Sequence, residues 1–150
     1  MAVNHYDLEF LLEQANKLFS RDNWAHEIID QTIDFVNENN KIVYVGCSTV
    51  VRVLLKSGRF HENVGFHEGV SESTGKAFED ARKISYTDAL YRTLLSFEEF
   101  GELIIKIEKK KKRLEKQKKL KNDWIKKNMV EATVSNKILE EMEKDSMTEV

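Results

Sequence analysis

Between residues 6 and 19, YDLEFLLEQANKLF places Leu8, Leu11, Leu12, Ala15, Leu18 and Phe19 three and four apart. That spacing predicts a helix with one apolar stripe. SRDNW then breaks the period with loop-forming residues. From His26 the pattern changes: EIIDQTIDFV alternates imperfectly, NENN is a turn signal, and KIVYVGCSTVVRVLL is a long β-branched run. KSGR supplies a second turn, with Gly58 free to adopt positive φ. RFHENVGF alternates again, with Phe60, Glu62, Val64 and Phe66 on one side and His61, Asn63 and Gly65 on the other. Three strands joined by two short hairpins, an antiparallel meander, is the natural reading.

HEGVSESTGK reads as a flexible connection, and ARKISYTDALYRTLLSF as a helix beyond it. Ile84, Ala89, Leu90, Thr93, Leu94 and Phe97 form the stripe expected to lie across the sheet, covering one of its faces. A second helical stretch, about 100–128, scatters Leu103, Ile104, Ile107, Leu114, Trp124 and Ile125 among lysines. Ser135 is a plausible cap for a last short helix that ends in a polar tail. The predicted class is α+β: a β-β-β-α core over residues 1–100, with an N-terminal helix, and a helical extension over 101–150.

Charge changes this picture. The net value of −2 hides a balance of 10 basic against 16 acidic residues in 1–100 and 14 against 10 in 101–150. Within 106–127 there are 12 basic and 3 acidic residues. Such a segment either seeks a polyanion, nucleic acid being the usual partner, or is a solvated Lys-rich helix. Cys47 is the only cysteine, which excludes an internal disulfide and fits a reducing compartment. No run approaches 18 apolar residues, so no membrane span is expected, and nothing near Met1 has the apolar centre of a secretory signal.

Catalytic chemistry finds no support. No Gly-x-x-x-x-Gly-Lys-Ser/Thr loop is present to cradle ATP phosphates. His61 and His67 stand six residues apart on one strand, roughly 20 Å at about 3.3 Å per residue, too far to share a metal. Cys47, inside an apolar run, reads as a small core residue rather than a nucleophile. A non-enzyme without cofactor or metal is expected.

Four blocks, NWAHEIIDQTIDFV, YVGCSTVVRVLLKSGRFHENVGF, GVSE and ARKISYTDALYRTLLSF, occur in one order over about residues 5–98. Together they resemble the N-terminal annealing domain of the Rad-fifty-two family of homologous-recombination proteins. That family's patterns include Gly-x-Trp-Ala-His, Tyr-Val-Gly, Val-Arg-Val-x-Leu-Lys-x-Gly and Gly-Val-Ser-Glu. Its helix reads Ala-Arg-Lys-Glu-Ala-Val-Thr-Asp-Gly-Leu-Lys-Arg-Ala-Leu-Arg-Ser-Phe. The resemblance implies a nuclear protein that assembles into a homo-oligomeric ring. Such a ring holds single-stranded DNA in a groove and anneals complementary strands without ATP. Double-stranded DNA and the recombinase are further partners it raises.

Carried over by position, Arg92 matches the second member of the family's Lys-Arg pair in the DNA groove. Arg82 and Lys83 match the Arg-Lys at the helix front. Arg52 and Lys56 match cations of the second strand, Lys76 a lysine of the connecting segment, and Lys41 a cation near the Tyr-Val-Gly strand. Phe19 is assigned to the core, and Trp24 and His26 to fixing the turn into the first strand. The departures fall at the DNA-facing positions. Tyr91 replaces the first lysine of the pair and is read as stacking on a base or covering a subunit boundary. Leu95 replaces an arginine one turn later, and Ala89 a glycine. The family's N-terminal arm and long C-terminal region find no counterpart in the sequence. Two alternatives follow: an accessory paralogue that co-assembles with a longer family member, and an RNA-binding module, since a sheet packed by a helix also suits duplex RNA.

Overall fold

The computed structural model describes residues 6–148 and divides between Ile104 and Ile105 into two compact units. In the first, helix α1 (Leu8–Phe19) precedes a single 3₁₀ turn, strands β1 (Trp24–Asn39), β2 (Ile42–Leu55) and β3 (Phe60–Ser71), and helix α2 (Thr74–Leu95). Helix α3 (Glu98–Thr148) begins in the first unit and forms the second. The sheet is antiparallel with order β1-β2-β3, so the fold is α+β with α2 packed on one face.

Local chemistry fixes the joints. Asp7 caps α1 by accepting the Phe10 N–H at 2.8 Å, and Ser73 caps α2 by accepting that of Lys76. The β1–β2 turn places both Asn40 (φ 51°) and Lys41 (φ 65°) in the left-handed region, the requirement of a tight hairpin. In the β2–β3 turn Gly58, at φ 95°, supplies the same freedom. Two bulges in β1, between Ile28 and Asp30 and between Ile33 and Phe35, account for the imperfect alternation of its sequence.

The core lies between sheet and helix. Val43, Val45, Cys47, Val51 and Val53 of β2 are buried beneath Ala77, Ala81, Ala89, Leu90 and Leu94 of α2. β3 meets the helix through glycines. A methyl group at Gly65 would stand 2.2 Å from the Ala89 nitrogen, and one at Gly69 2.0 Å from the Ala77 oxygen. The helix therefore rests directly on the β3 backbone. At the other end Phe97 packs edge-on against His61 (4.6 Å) and against Phe19 (5.5 Å), which is half-buried at the edge of the core rather than within it. Arg59 grips Glu99 through two hydrogen bonds of 2.8 and 3.0 Å, tying the β2–β3 turn to the start of α3. Those bonds hold the Glu99 carboxyl below its ordinary pKa.

Several elements differ from the sequence reading. HEGVSESTGK is not a loose connection: β3 continues to Ser71, and α2 starts at Thr74. The side of β3 that carries Phe60, Val64 and Phe66 faces away from α2, and with Leu54 and Val70 it forms an exposed apolar face. Ile84 is 39% exposed and does not join the packed stripe, whereas Ala89, Leu90, Thr93, Leu94 and Phe97 are buried as expected, and the small residues Ala77, Ala81 and Ser85 extend the stripe toward the start of α2. Ser135 caps nothing, because α3 runs through it without interruption. Of the polar tail, Glu149 and Val150 lie outside the described residues.

Candidate nucleic-acid interface

α2 carries cations on two flanks, over opposite edges of the sheet. On the β3 side, Asp88 accepts the Phe66 backbone N–H at 3.1 Å and the Arg92 Nε at 3.0 Å. Arg92 is thus oriented by a carboxylate that is itself fixed to the strand. Only Nε is engaged with Asp88, and the side chain remains 52% exposed. In the first turn of α2, Lys76 pairs with Asp80 at 2.9 Å, a hydrogen bond that raises the lysine pKa.

On the β1 side, Phe78, Arg82, Lys83 and Tyr86 line an open cleft of about 610 Å³ with Ile28 and Gln31. The Arg82 guanidinium lies over the Phe78 ring, 5.5 Å from its centroid. Tyr86 stacks with His26 (6.2 Å), which stacks in turn with Trp24 (5.2 Å). Burial pushes the Tyr86 hydroxyl pKa up and the His26 pKa down. Trp24 Nε1 donates to Asn16 Oδ1 at 2.8 Å, so Trp24 and His26 join α1, β1 and α2. A second groove, about 900 Å³, shares Lys83 with the first and mixes Lys17 and Arg21 with Asp7, Glu9 and Glu13.

A hydrogen-bond circuit, buried at its Thr49–Ser85 end, holds the Arg82 backbone carbonyl. Gln31 Nε2 donates to the Arg82 carbonyl (3.1 Å) and to Thr49 Oγ1 (3.0 Å), and Ser85 Oγ donates to the same carbonyl (3.1 Å). The Thr49–Ser85 contact of 2.7 Å must then have Thr49 as donor, because the one Ser85 proton is already committed. β1, β2 and α2 are locked together beneath the cleft.

The remaining sequence candidates lie elsewhere. Arg52 is on the open face of the sheet, between Glu27 and Glu62 and over the Phe60 ring. Lys41 sits in the β1–β2 turn, and Lys56 follows the opposite end of β2, where its N–H donates to the Asn23 carbonyl. Tyr91 is half-buried and tilts against Tyr6 at 5.5 Å, so within one chain it packs on the segment before α1. Of the eight candidates, one chain brings together only Arg82 and Lys83. Phe78, Tyr86, Gln31 and Arg21 were not among them. Tyr86 did leave a trace, since it stands where the family pattern has valine. Among the described residues no helix is long and apolar enough to cross a membrane.

This arrangement, cations beside half-buried aromatic rings on an open surface, suits an extended anion that carries planar bases. Residues 3–124 match the family described as Rad52/22 family double-strand break repair protein. The DNA repair and recombination protein RAD52 of Kluyveromyces lactis is 40% identical over 84 residues, 55% of this chain and 19% of that protein. Its counterpart of the same name in Saccharomyces cerevisiae is 37% identical over 90 residues, 58% and 19%. DNA repair and recombination protein rad22 of Schizosaccharomyces pombe is 38% identical over 100 residues, 64% and 21%. The chain spans about a fifth of the length of these relatives. With four-fifths of its residues matched, it belongs to the Rad52/22 family.

Proposed function

We propose that this protein binds single-stranded DNA and anneals complementary strands without ATP, as a ring of identical subunits, in nuclear recombination repair of double-strand breaks. The observation that carries the reading is the cleft where Arg82 and Lys83 stand beside Phe78 and Tyr86. Cations there neutralise phosphates and release counterions, while ring faces hold bases without sequence preference. Annealing is downhill once strands lie extended with their bases outward, so no catalytic group is required. A ring also gives the split cations a use. Side by side, the β3 edge of one copy faces the β1 edge of the next, which brings Arg92 of one subunit toward Arg82 and Lys83 of its neighbour. The exposed apolar face with Phe60, Val64 and Phe66 further supports assembly.

A second reading, an accessory subunit that binds DNA weakly within a mixed ring, is favoured by Asp80 and Asp88, which pair with Lys76 and Arg92. Anisotropy of labelled oligo-dT across a salt series, together with particle mass, separates the two. Arg82→Ala with Lys83→Ala lowers affinity and flattens the log–log salt slope by about 0.7 for each phosphate no longer neutralised. Arg92→Ala acts in the same direction and slows annealing. Unchanged affinity and slope in both variants would overturn the assignment, and a monomer inert to DNA would favour the accessory role.

A further inference from the structure

Beyond the core, α3 has no packed face. Lys109 to Lys127 are all exposed, and so are Leu114, Trp124, Ile138 and Met142. A long helix without tertiary packing is marginal in water, so this one calls for a partner. Its charge is also polarised along its length: 106–127 holds 12 basic and 3 acidic residues, whereas 128–148 holds two basic and five acidic.

We propose that α3 pairs antiparallel with the α3 of a second copy of this chain, the twofold axis passing at the level of Lys126. Positions from Leu114 to Met142 that alternate spacings of three and four line one face of the helix. With two such faces opposed, residues equidistant from Lys126 come to one level. Leu114 then meets Ile138, Gln117 meets Ser135, and Lys121 meets Glu131. At these three levels apolar stands on apolar, amide on hydroxyl, and cation on anion; at the other two, Trp124 meets Asn128 and Met142 meets Lys110. Away from the seam, the basic cluster Lys109 to Arg113 comes level with Glu140, Glu141 and Glu143. Two of the three acidic exceptions in 106–127 agree as well, because Glu115 comes level with Lys137 and Glu108 with Lys144, while Asp123 comes level with Met129.

Other arrangements fail on the same residues. Parallel pairing sets the basic cluster beside its own copy, where like charges repel. Of the antiparallel registers one heptad away, one puts Ile138 on Lys121 and Leu114 on Asp145, and the other puts Glu131 on Leu114 and takes Lys109 to Arg113 off the acidic cluster. The Lys126 register alone joins the Leu114–Ile138 pair to the Lys121–Glu131 pair, and this is an interaction separate from any contact made by the first unit.

Disulfide trapping in the full-length chain tests the geometry. Cys47 is fully buried, so introduced thiols report alone. Leu114→Cys mixed with Ile138→Cys gives a cross-linked dimer under mild oxidation, whereas neither variant alone does. Adding Glu140→Lys, Glu141→Lys and Glu143→Lys to both chains lowers the yield at least tenfold. Adding Lys109→Glu, Lys111→Glu and Lys112→Glu as well restores it. Self-cross-linking of either single variant at the mixed yield would show a parallel pair. Absence of cross-linking, or charge reversal without effect, would likewise overturn the proposal. None of these outcomes touches the DNA-binding assignment of Arg82, Lys83 and Arg92.

Discussion

Gly65→Ala tests how closely α2 lies on the sheet. The added Cβ would stand 2.2 Å from the Ala89 nitrogen, 2.4 Å from the Ser85 oxygen and 2.7 Å from the Ala89 Cα. All three are backbone atoms, so no side chain can swing aside, and the helix must lift by roughly an ångström to restore ordinary contact. Lifting it opens the interface formed by Ala81, Ser85, Ala89 and Thr93 above β2, all of them fully buried. Overpacking typically costs about 1–3 kcal/mol, and an obstacle made of backbone belongs at the upper end. Against a total stability of about 5–15 kcal/mol, that is a substantial fraction. At about 4 °C or more per kcal/mol for a unit of this size, the melting point falls by some 10 °C. Gly75→Ala is the internal control. A Cβ there meets nothing within 4 Å, and the position is helical, so the variant gains about 0.5–1 kcal/mol. Urea unfolding followed by Trp24 fluorescence, in a Trp124→Phe background, reads both. A Gly65→Ala protein within about 0.5 kcal/mol of its parent would refute direct helix-on-backbone packing.

Two further variants probe the floor of the cleft. His26, lowered by burial from its ordinary 6.5, takes up a proton more readily in the unfolded chain. Protonation therefore favours unfolding, and stability falls as pH drops below about 6.5 toward the lower folded pKa. His26→Gln flattens that part of the stability–pH curve, and equal slopes in parent and variant would contradict the burial. Ser85→Ala leaves the buried Thr49 hydroxyl without its acceptor and costs about 1–3 kcal/mol. Combining it with Thr49→Val costs less than the sum of the two single changes, whereas strict additivity in a double-mutant cycle would sink the hydrogen-bond circuit.

How far the sequence could reveal this molecule depended on what each contact is made of. Strands and hairpins were legible because β-branched runs and turn residues encode them locally. So was the C-terminal half of the α2 stripe, where Ala89, Leu90, Thr93, Leu94 and Phe97 are all buried as read. Its N-terminal half was not, because it consists of Ala77, Ala81 and Ser85, with glycines of β3 beneath the helix, and a search for large apolar residues settles on Ile84 instead. Small residues signal close approach only once the opposing glycines are known to face them, and that depends on the β2–β3 register. The candidate site was half legible for a related reason. Matching to the family pattern marked Arg82, Lys83 and Arg92 as cations but could not say that they stand over different edges of the sheet. On the proposed function, the split bears directly on how DNA would be held. Three cations on one flank could bind a strand in a monomer, whereas a pair over the β1 edge and a single arginine over the β3 edge form one continuous path only when edges of neighbouring copies meet. Binding strength and assembly are then a single property. A substitution on the open apolar face, which carries none of Arg82, Lys83 and Arg92, should weaken DNA binding as much as the loss of Arg92 itself.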